Sequence, residues 1–188
     1  MKYDIILCGV GGQGVLSVAA AIATAAAAGG LKVRQSEVHG MAQRGGAVMS
    51  HLRISDETIP GDLVPKGGAD LIVSMEPLEL LRYTAYLKPD GACVAASQPF
   101  ENIPNYPDVD EIHSRVESLS GARLIDAAAL AKEAGNPRAV NMVMVGAASN
   151  SLPLTQDSLE EAISSLFARK GEAVVASNLK AFRSGRAA

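Results

Sequence analysis

Two cysteines, no tryptophan, three phenylalanines and four tyrosines are all that 188 residues contain of those types. Each shortage closes a class of function. An iron–sulfur cluster is normally held by about four cysteine thiolates, so Cys8 and Cys93 cannot hold one alone. Both lie in apolar runs, where cysteine behaves as a small buried hydrophobe. With so few rings the stacking platforms that bind single-stranded nucleic acid cannot be assembled. A net charge of -3 gives no attraction to a phosphate backbone either, and no nucleic-acid partner is expected. A membrane-spanning run is missing too. The most apolar helical stretch, Val15 to Ala28, is largely alanine and falls short of the roughly 20 residues a bilayer requires. Met1-Lys2-Tyr3-Asp4 leads straight into a strand-like run with no signal-peptide pattern, so the expected location is cytoplasmic.

What is present is globular: 48% of residues are apolar and 20% charged, in a length that suits one domain, 1–188, around a single core. Ile5 to Cys8 reads as a central strand covered on both faces, followed by a helix to Ala28 that stops at Gly29-Gly30. Further strands are expected over Lys32–Glu37, Ala47–Ile54, Asp70–Met75, Ala92–Ala96 and Arg123–Ile125. The second of these alternates Val48, Ser50, Leu52 and Ile54 against Met49, His51 and Arg53, which predicts one partly polar face. Helices are expected over Pro77–Leu87, Ala127–Ala134, Arg138–Ser149, Asp157–Ala168 and Glu172–Phe182, the fourth of these capped by Thr155 or Ser151. Pro89-Asp90-Gly91 reads as a turn, and Gln98 to Asp108 as an irregular crossing. His113 falls on a surface segment and is expected to be solvated. The pattern predicts an α/β fold: a Rossmann-like, doubly wound, mostly parallel sheet with helices on both faces, room for one antiparallel member, and a helical C-terminal third.

Two segments carry candidate chemistry. Gly9, Gly11, Gly12, Gln13 and Gly14 belong to a G-x-G-x-x-G run placed between the first strand and the first helix, the context that gives this motif meaning. Glycines there permit a tight turn and let an anion approach the backbone N–H groups at a helix N-terminus, while Gln13 can add an amide donor. Such glycines also serve simple helix-to-sheet packing. Glu37 stands where a dinucleotide domain places its ribose-binding acid. The stretch after it, Val38 to Gly46, is a glycine-punctuated polar loop unlike that of an NAD domain. There His39 and Arg44 offer donors, Gly40, Gly45 and Gly46 allow close backbone approach, and Arg44 can clamp a phosphate or carboxylate. A plain surface loop has the same composition. His39 and His51 have no companions at metal-ligand spacing, and no G-x-S-x-G nucleophile elbow occurs. Neither a metal centre nor a hydrolase is expected, and no residue stands out as catalytic.

With both loops in view, the chain resembles the gamma-type domain of the 2-oxoacid:ferredoxin oxidoreductases. The likeness rests on Gly9 to Val15, on Ser36 to Gly46, on the strand with Ser50, His51 and Arg53, on Ala69-Asp70-Leu71, and on Asn141 to Gly146. The resemblance implies a part in decarboxylating an aryl 2-oxoacid such as indolepyruvate, joining the acyl group to coenzyme A and reducing ferredoxin. It places thiamine diphosphate and the 4Fe-4S clusters in a larger partner subunit, with ferredoxin reached through the complex. It also implies that this chain is separately encoded, inactive alone, and contributes binding loops to its partner's active site; a homodimer stays open. The competing readings are a free-standing NAD(P)- or FAD-binding protein using Glu37 and the glycine loop, and a pure interaction module.

Overall fold

The computed structural model describes residues 1–39, 45–101 and 103–188, with His39 described by its backbone alone. Six strands form one sheet: β1 (Lys2–Val10), β2 (Lys32–His39), β3 (Ala47–Ser55), β4 (Ala69–Ser74), β5 (Leu87–Ala96) and β6 (Ala122–Ile125), in the order β2-β3-β1-β4-β5-β6. β1, β4, β5 and β6 run parallel, and β3 is antiparallel to both β1 and β2. The expected single antiparallel member is therefore β3, inserted between the first two strands. From β1 the chain leaves toward β2 on one side and later resumes at β4 on the other. The crevice between the C-terminal ends of β1 and β4 is thus the topological switch point, where doubly wound sheets bind their ligands.

Alternation along the strands sorts side chains into two cores. Ile5, Leu7, Leu52, Leu71, Val73 and Val94 face α1 (Val15–Ala28), α4 (Ala127–Glu133), α5 (Val140–Ser149), α6 (Gln156–Phe167) and α7 (Glu172–Ala187). Ile6, Cys8, Ile72, Cys93 and Ala95 face α2 (Pro77–Tyr83) and α3 (Val109–Glu117). Where α5 crosses α7 the backbones nearly touch. A Cβ added at Gly146 would lie 1.9 Å from the Phe182 carbonyl oxygen, and one at Gly185 1.9 Å from that of Val143.

Five points differ from expectation. β2 continues through Val38 and His39, which pair with Met49 and Val48, because β3 is long enough to extend the ladder into the expected loop. The helix after Pro77 ends at Tyr83 and passes through a short 3-10 turn into β5, which starts at Leu87. The Pro89-Asp90-Gly91 turn survives as a bulge in that strand: Ala69 pairs with Leu87 but Leu71 with Ala92. Residues 109–117 form a helix that the sequence pattern does not announce, with Ile112 and Val116 buried four apart and Asp108 capping the N–H groups of Asp110 and Glu111. His113 on that helix is half-buried, its Nε2 2.8 Å from the Ser97 carbonyl oxygen, rather than solvated.

The polar face of β3 is not open to water either. His51 and Arg53 are 3% and 6% exposed, covered by the segment from Asp56 to Gly68. Arg53 forks onto Asp4, with Nε to Oδ1 at 2.8 Å and Nη2 to Oδ2 at 3.2 Å, while Nη1 donates to the carbonyls of Gly61 and Leu63. His51 Nδ1 accepts from Val64 N–H at 3.1 Å. A buried guanidinium is tolerated here because every face of it meets an acceptor. Burial first, and the Arg53 charge second, push the His51 imidazole below its ordinary value.

Candidate functional site

The glycine loop closes over the end of β1 as expected, and its geometry explains its composition. Gly9 is pressed on three sides: a Cβ there would meet Gln13 Oε1 and Met75 Cβ at 2.9 Å each. Gly14, the N-cap of α1, has φ +86°, a left-handed conformation that other residues resist. Gln13 turns its amide oxygen inward to accept from Val10 N–H at 2.7 Å. Its NH2 group, the donor proposed from sequence, makes no hydrogen bond among the described residues, and the residue lines the adjacent crevice.

The two segments singled out in the sequence meet. Gly11 N–H donates to the Gly46 carbonyl at 2.8 Å, and Gly45 N–H reaches the Gly11 carbonyl at 3.4 Å. The base of the second loop is thereby stitched to the middle of the first. Gly40 and Arg44 lie outside the described residues, as do the side-chain contacts of His39. The His39 backbone pairs with Val48, which in turn pairs with Gly9. Glu37 pairs with Ser50 and receives a 2.6 Å hydrogen bond from Gln35 Nε2. With β3 interposed, the Glu37 backbone stands two strands from β1, roughly 10 Å away at ordinary strand spacing. It is therefore not brought to the glycine loop as it would be if β2 lay beside β1.

The crevice at the switch point has a volume of about 420 Å³ and is walled by Gly12, Gln13, Met75, Gln98, Phe100 and Arg138, among others. Met75 N–H donates to the Cys8 carbonyl at 2.8 Å, holding the ends of β1 and β4 together at its floor. Arg138 was not anticipated as a site residue. It lies in the turn before α5, and its side chain makes no ion pair among the described residues. Its only sequence signal, a lone basic residue after Asn136-Pro137, gives no hint that the turn folds back to the glycine loop.

Glu76 is a second unforeseen member, acting through structure. It is 1% exposed, caps α2 by accepting from Glu79 N–H at 2.8 Å, and accepts from Phe100 N–H at 3.3 Å and from the Tyr106 hydroxyl. One carboxylate thus fixes both the helix and the Phe100 wall. Burial pushes the Tyr106 hydroxyl up, and its bond to Glu76 adds to the rise. Glu79 next to it is raised by burial against the opposing pull of Arg82, and its Oε2 is the one buried side-chain oxygen without a partner among the described residues.

Chemically the described residues of the crevice can bind and orient, and none of them is an acid, base or nucleophile suited to proton transfer. Among the described residues its walls hold amides, an arginine and apolar groups, with no carboxylate, histidine, cysteine or lysine. The cysteines are elsewhere: Cys8 and Cys93 are both fully buried in the second core. Four thiolates for a cluster cannot be drawn from this chain.

Comparison with known proteins places this geometry. The family model described as pyruvate ferredoxin/flavodoxin oxidoreductase matches residues 4–188. The indolepyruvate oxidoreductase subunit IorB of Pyrococcus horikoshii is 39% identical over 98% of this chain and 94% of its own length. The same subunit of Thermococcus kodakarensis is 40% identical over 86% and 85%. Among solved structures, 2-oxoglutarate:ferredoxin oxidoreductase from Magnetococcus marinus, with 2-oxoglutarate, coenzyme A and succinyl-CoA bound, superposes with a TM-score of 0.77 at 28% identity. It covers 99% of this chain but 30% of that longer one. The keto/oxoacid ferredoxin oxidoreductase gamma subunit of Geobacter sulfurreducens gives 0.69 at 26% identity, over 98% and 96% of the two chains. A match that begins in β1 and runs through the last helix takes in the glycine loop, the crevice and the helical C-terminal third together, and the chain therefore belongs to the pyruvate ferredoxin/flavodoxin oxidoreductase family.

Proposed function

We propose that this chain is the small subunit of an indolepyruvate:ferredoxin oxidoreductase, in which an aryl 2-oxoacid, coenzyme A and oxidised ferredoxin become acyl-CoA, CO2 and reduced ferredoxin. The observation that carries the reading is its likeness, from end to end, to the indolepyruvate oxidoreductase subunits. Its own geometry agrees in kind: a crevice whose described residues are amides, an arginine and apolar groups suits a subunit that presents substrate to chemistry done elsewhere. Thiamine diphosphate and the 4Fe-4S clusters belong in this reading to the larger partner subunit. The complex works in the cytoplasm and delivers electrons to ferredoxin.

Within that complex the crevice takes the phosphate-bearing part of coenzyme A. The Gln13 amide donor and Arg138 offer hydrogen bonds and charge to oxyanions, and the first N–H groups of α1 add the positive end of a helix dipole. The loop bearing His39, Gly40 and Arg44 contributes binding groups to the partner's active site, and Gly45 and Gly46 tie its base to Gly11. The test is purification under anaerobic conditions from the native host, followed by assay of the complex with indolepyruvate, coenzyme A and ferredoxin. Co-elution with a larger iron–sulfur, thiamine-diphosphate protein, and a raised KM for coenzyme A in Gln13→Ala, are the expected results. Elution of the chain alone carrying a dinucleotide would end this reading.

A further inference from the structure

Phe100 stands apart from the other aromatic residues of the chain. Phe182 is fully buried, Phe167 packs against the first core, and each of the four tyrosines is partly buried. Phe100 is 42% exposed and lines the crevice at the switch point. A single exposed apolar side chain is ordinary, but this one is held in place from behind. Its backbone N–H donates to Glu76 Oε1 at 3.3 Å, and the Tyr106 hydroxyl donates to the same carboxylate, which is 1% exposed. Pro99 before it has its backbone φ fixed by the pyrrolidine ring. The chain thus presents one bare ring to the crevice and anchors its backbone to a buried acid.

The rest of the crevice says what such a ring would meet. Met75, Pro99, Ala128 and Val140 continue the apolar wall beside it. Gln98 is already engaged, its Nε2 donating to Asp126 Oδ1 at 2.5 Å and its Oε1 accepting from Ala128 N–H at 3.3 Å. The side-chain donors left to a ligand are the Gln13 amide and Arg138, and among the described residues no Asp or Glu lines the space. A matching ligand therefore joins an anionic part to a flat apolar part. The volume, about 420 Å³, lies near the lower end of the roughly 300–1,000 Å³ of small-molecule sites, which suits a nucleotide-sized piece rather than a whole coenzyme.

We propose that Phe100 is a stacking platform and that the crevice selects an anion carrying a flat aromatic ring. Stacking on a phenylalanine face needs no hydrogen-bond code, because every such ring has a π-face of its own. The ring has two sources of the same chemistry. One is the adenine of coenzyme A, with its phosphates toward Gln13 and Arg138, and this source rests on the function proposed above. It sets the direction of the coenzyme: adenine held at Phe100, pantetheine arm free to leave for the partner's active site. The other source is an aryl 2-oxoacid, whose carboxylate would meet Arg138.

Calorimetry on the full chain separates the sources, with adenosine bisphosphate, phosphopantetheine and indolepyruvate as probes. Phe100 is exposed, so Phe100→Ala should keep the fold, which circular dichroism checks. The expected result is that Phe100→Ala weakens adenosine bisphosphate about tenfold, the usual effect of removing one stacked base. Phosphopantetheine, which has the phosphate but no ring, should be unaffected, and Phe100→Trp should regain the loss. In the assembled complex the same variant should raise KM for coenzyme A and leave kcat as it was. If indolepyruvate rather than the adenine nucleotide depends on Phe100, the platform stands and the coenzyme source falls. Adenosine bisphosphate and indolepyruvate both being indifferent to Phe100→Ala, or Phe100→Trp doing no better than Phe100→Ala, would overturn the platform. A complex that loosens on Phe100→Ala with its KM unmoved would overturn it too, as a contact with the partner, while leaving the proposed function in place.

Discussion

Replacing Gly146 by alanine tests the packing that holds α5 against α7. The added Cβ would fall 1.9 Å from the Phe182 carbonyl oxygen, against an ordinary contact of about 3.4 Å, so α7 must withdraw by more than an ångström. The neighbour is backbone, and a side-chain rotation cannot relieve it. Overpacking of this kind costs about 3 kcal/mol, and the better helix propensity of alanine returns about 1 kcal/mol. The net loss is thus about 2 kcal/mol, and thermal unfolding of a chain this size should fall by about 4–8 °C. Circular dichroism during heating reads it, with Gly61→Ala as control because a Cβ there meets nothing within 4 Å. A Gly146→Ala protein that melts with or above the parent would refute the reasoning, since the propensity gain would then have met no clash.

The buried Arg53 gives a larger effect. Arg53→Ala leaves Asp4, 1% exposed, with only the exposed Lys2 ammonium at 3.0 Å, and urea unfolding should lose about 3–5 kcal/mol; a loss under about 1 kcal/mol would mean water reaches Asp4 freely. His51 should make stability fall with pH. Its folded value lies below the ordinary 6.5, so the unfolded chain takes up the proton first, and stability present above about pH 6.5 declines as pH drops toward the folded value. Protonation would also put a hydrogen on the Nδ1 that accepts from Val64. His51→Asn should flatten the curve just below about pH 6.5, above the range where the lowered carboxyls Asp56 and Glu160 take up protons. Tyr106→Phe removes one bond to the buried Glu76 and should cost about 1–2 kcal/mol, while loosening the Phe100 wall enough to weaken coenzyme A measurably in calorimetry.

The central sheet was legible because its strands announce themselves: Ile5 to Cys8 and Leu71 to Val73 are continuous apolar runs, as strands covered on both faces must be. α1 was legible to the residue, from Val15 to the Gly29 stop. α3 was not, because it is polar on most of its surface and buries only Ile112 and Val116, too few to mark a period beside three prolines. The order of strands was hidden for a different reason. Nothing in Ala47–Ser55 says that it lies between β1 and β2, since pairing partners are a long-range choice. At the site, the glycine loop and the loop after β2 could each be found from composition, but their joining through Gly11 and Gly46 depends on that strand order. Arg138 could not be nominated, because a single surface cation carries no pattern until the fold brings its turn to the crevice.

The placement of Cys8 and Cys93 also bears on how the protein meets oxygen. Thiols are oxidised through their thiolates and only where an oxidant can reach. Burial raises both, Cys8 strongly and Cys93 to about 11, so at neutral pH about one Cys93 in ten thousand is ionised. Air should therefore leave these two thiols untouched. If an oxidoreductase built on this subunit loses activity in air, the oxidation of these two buried thiols is not the expected cause, and the sensitive group is to be sought elsewhere.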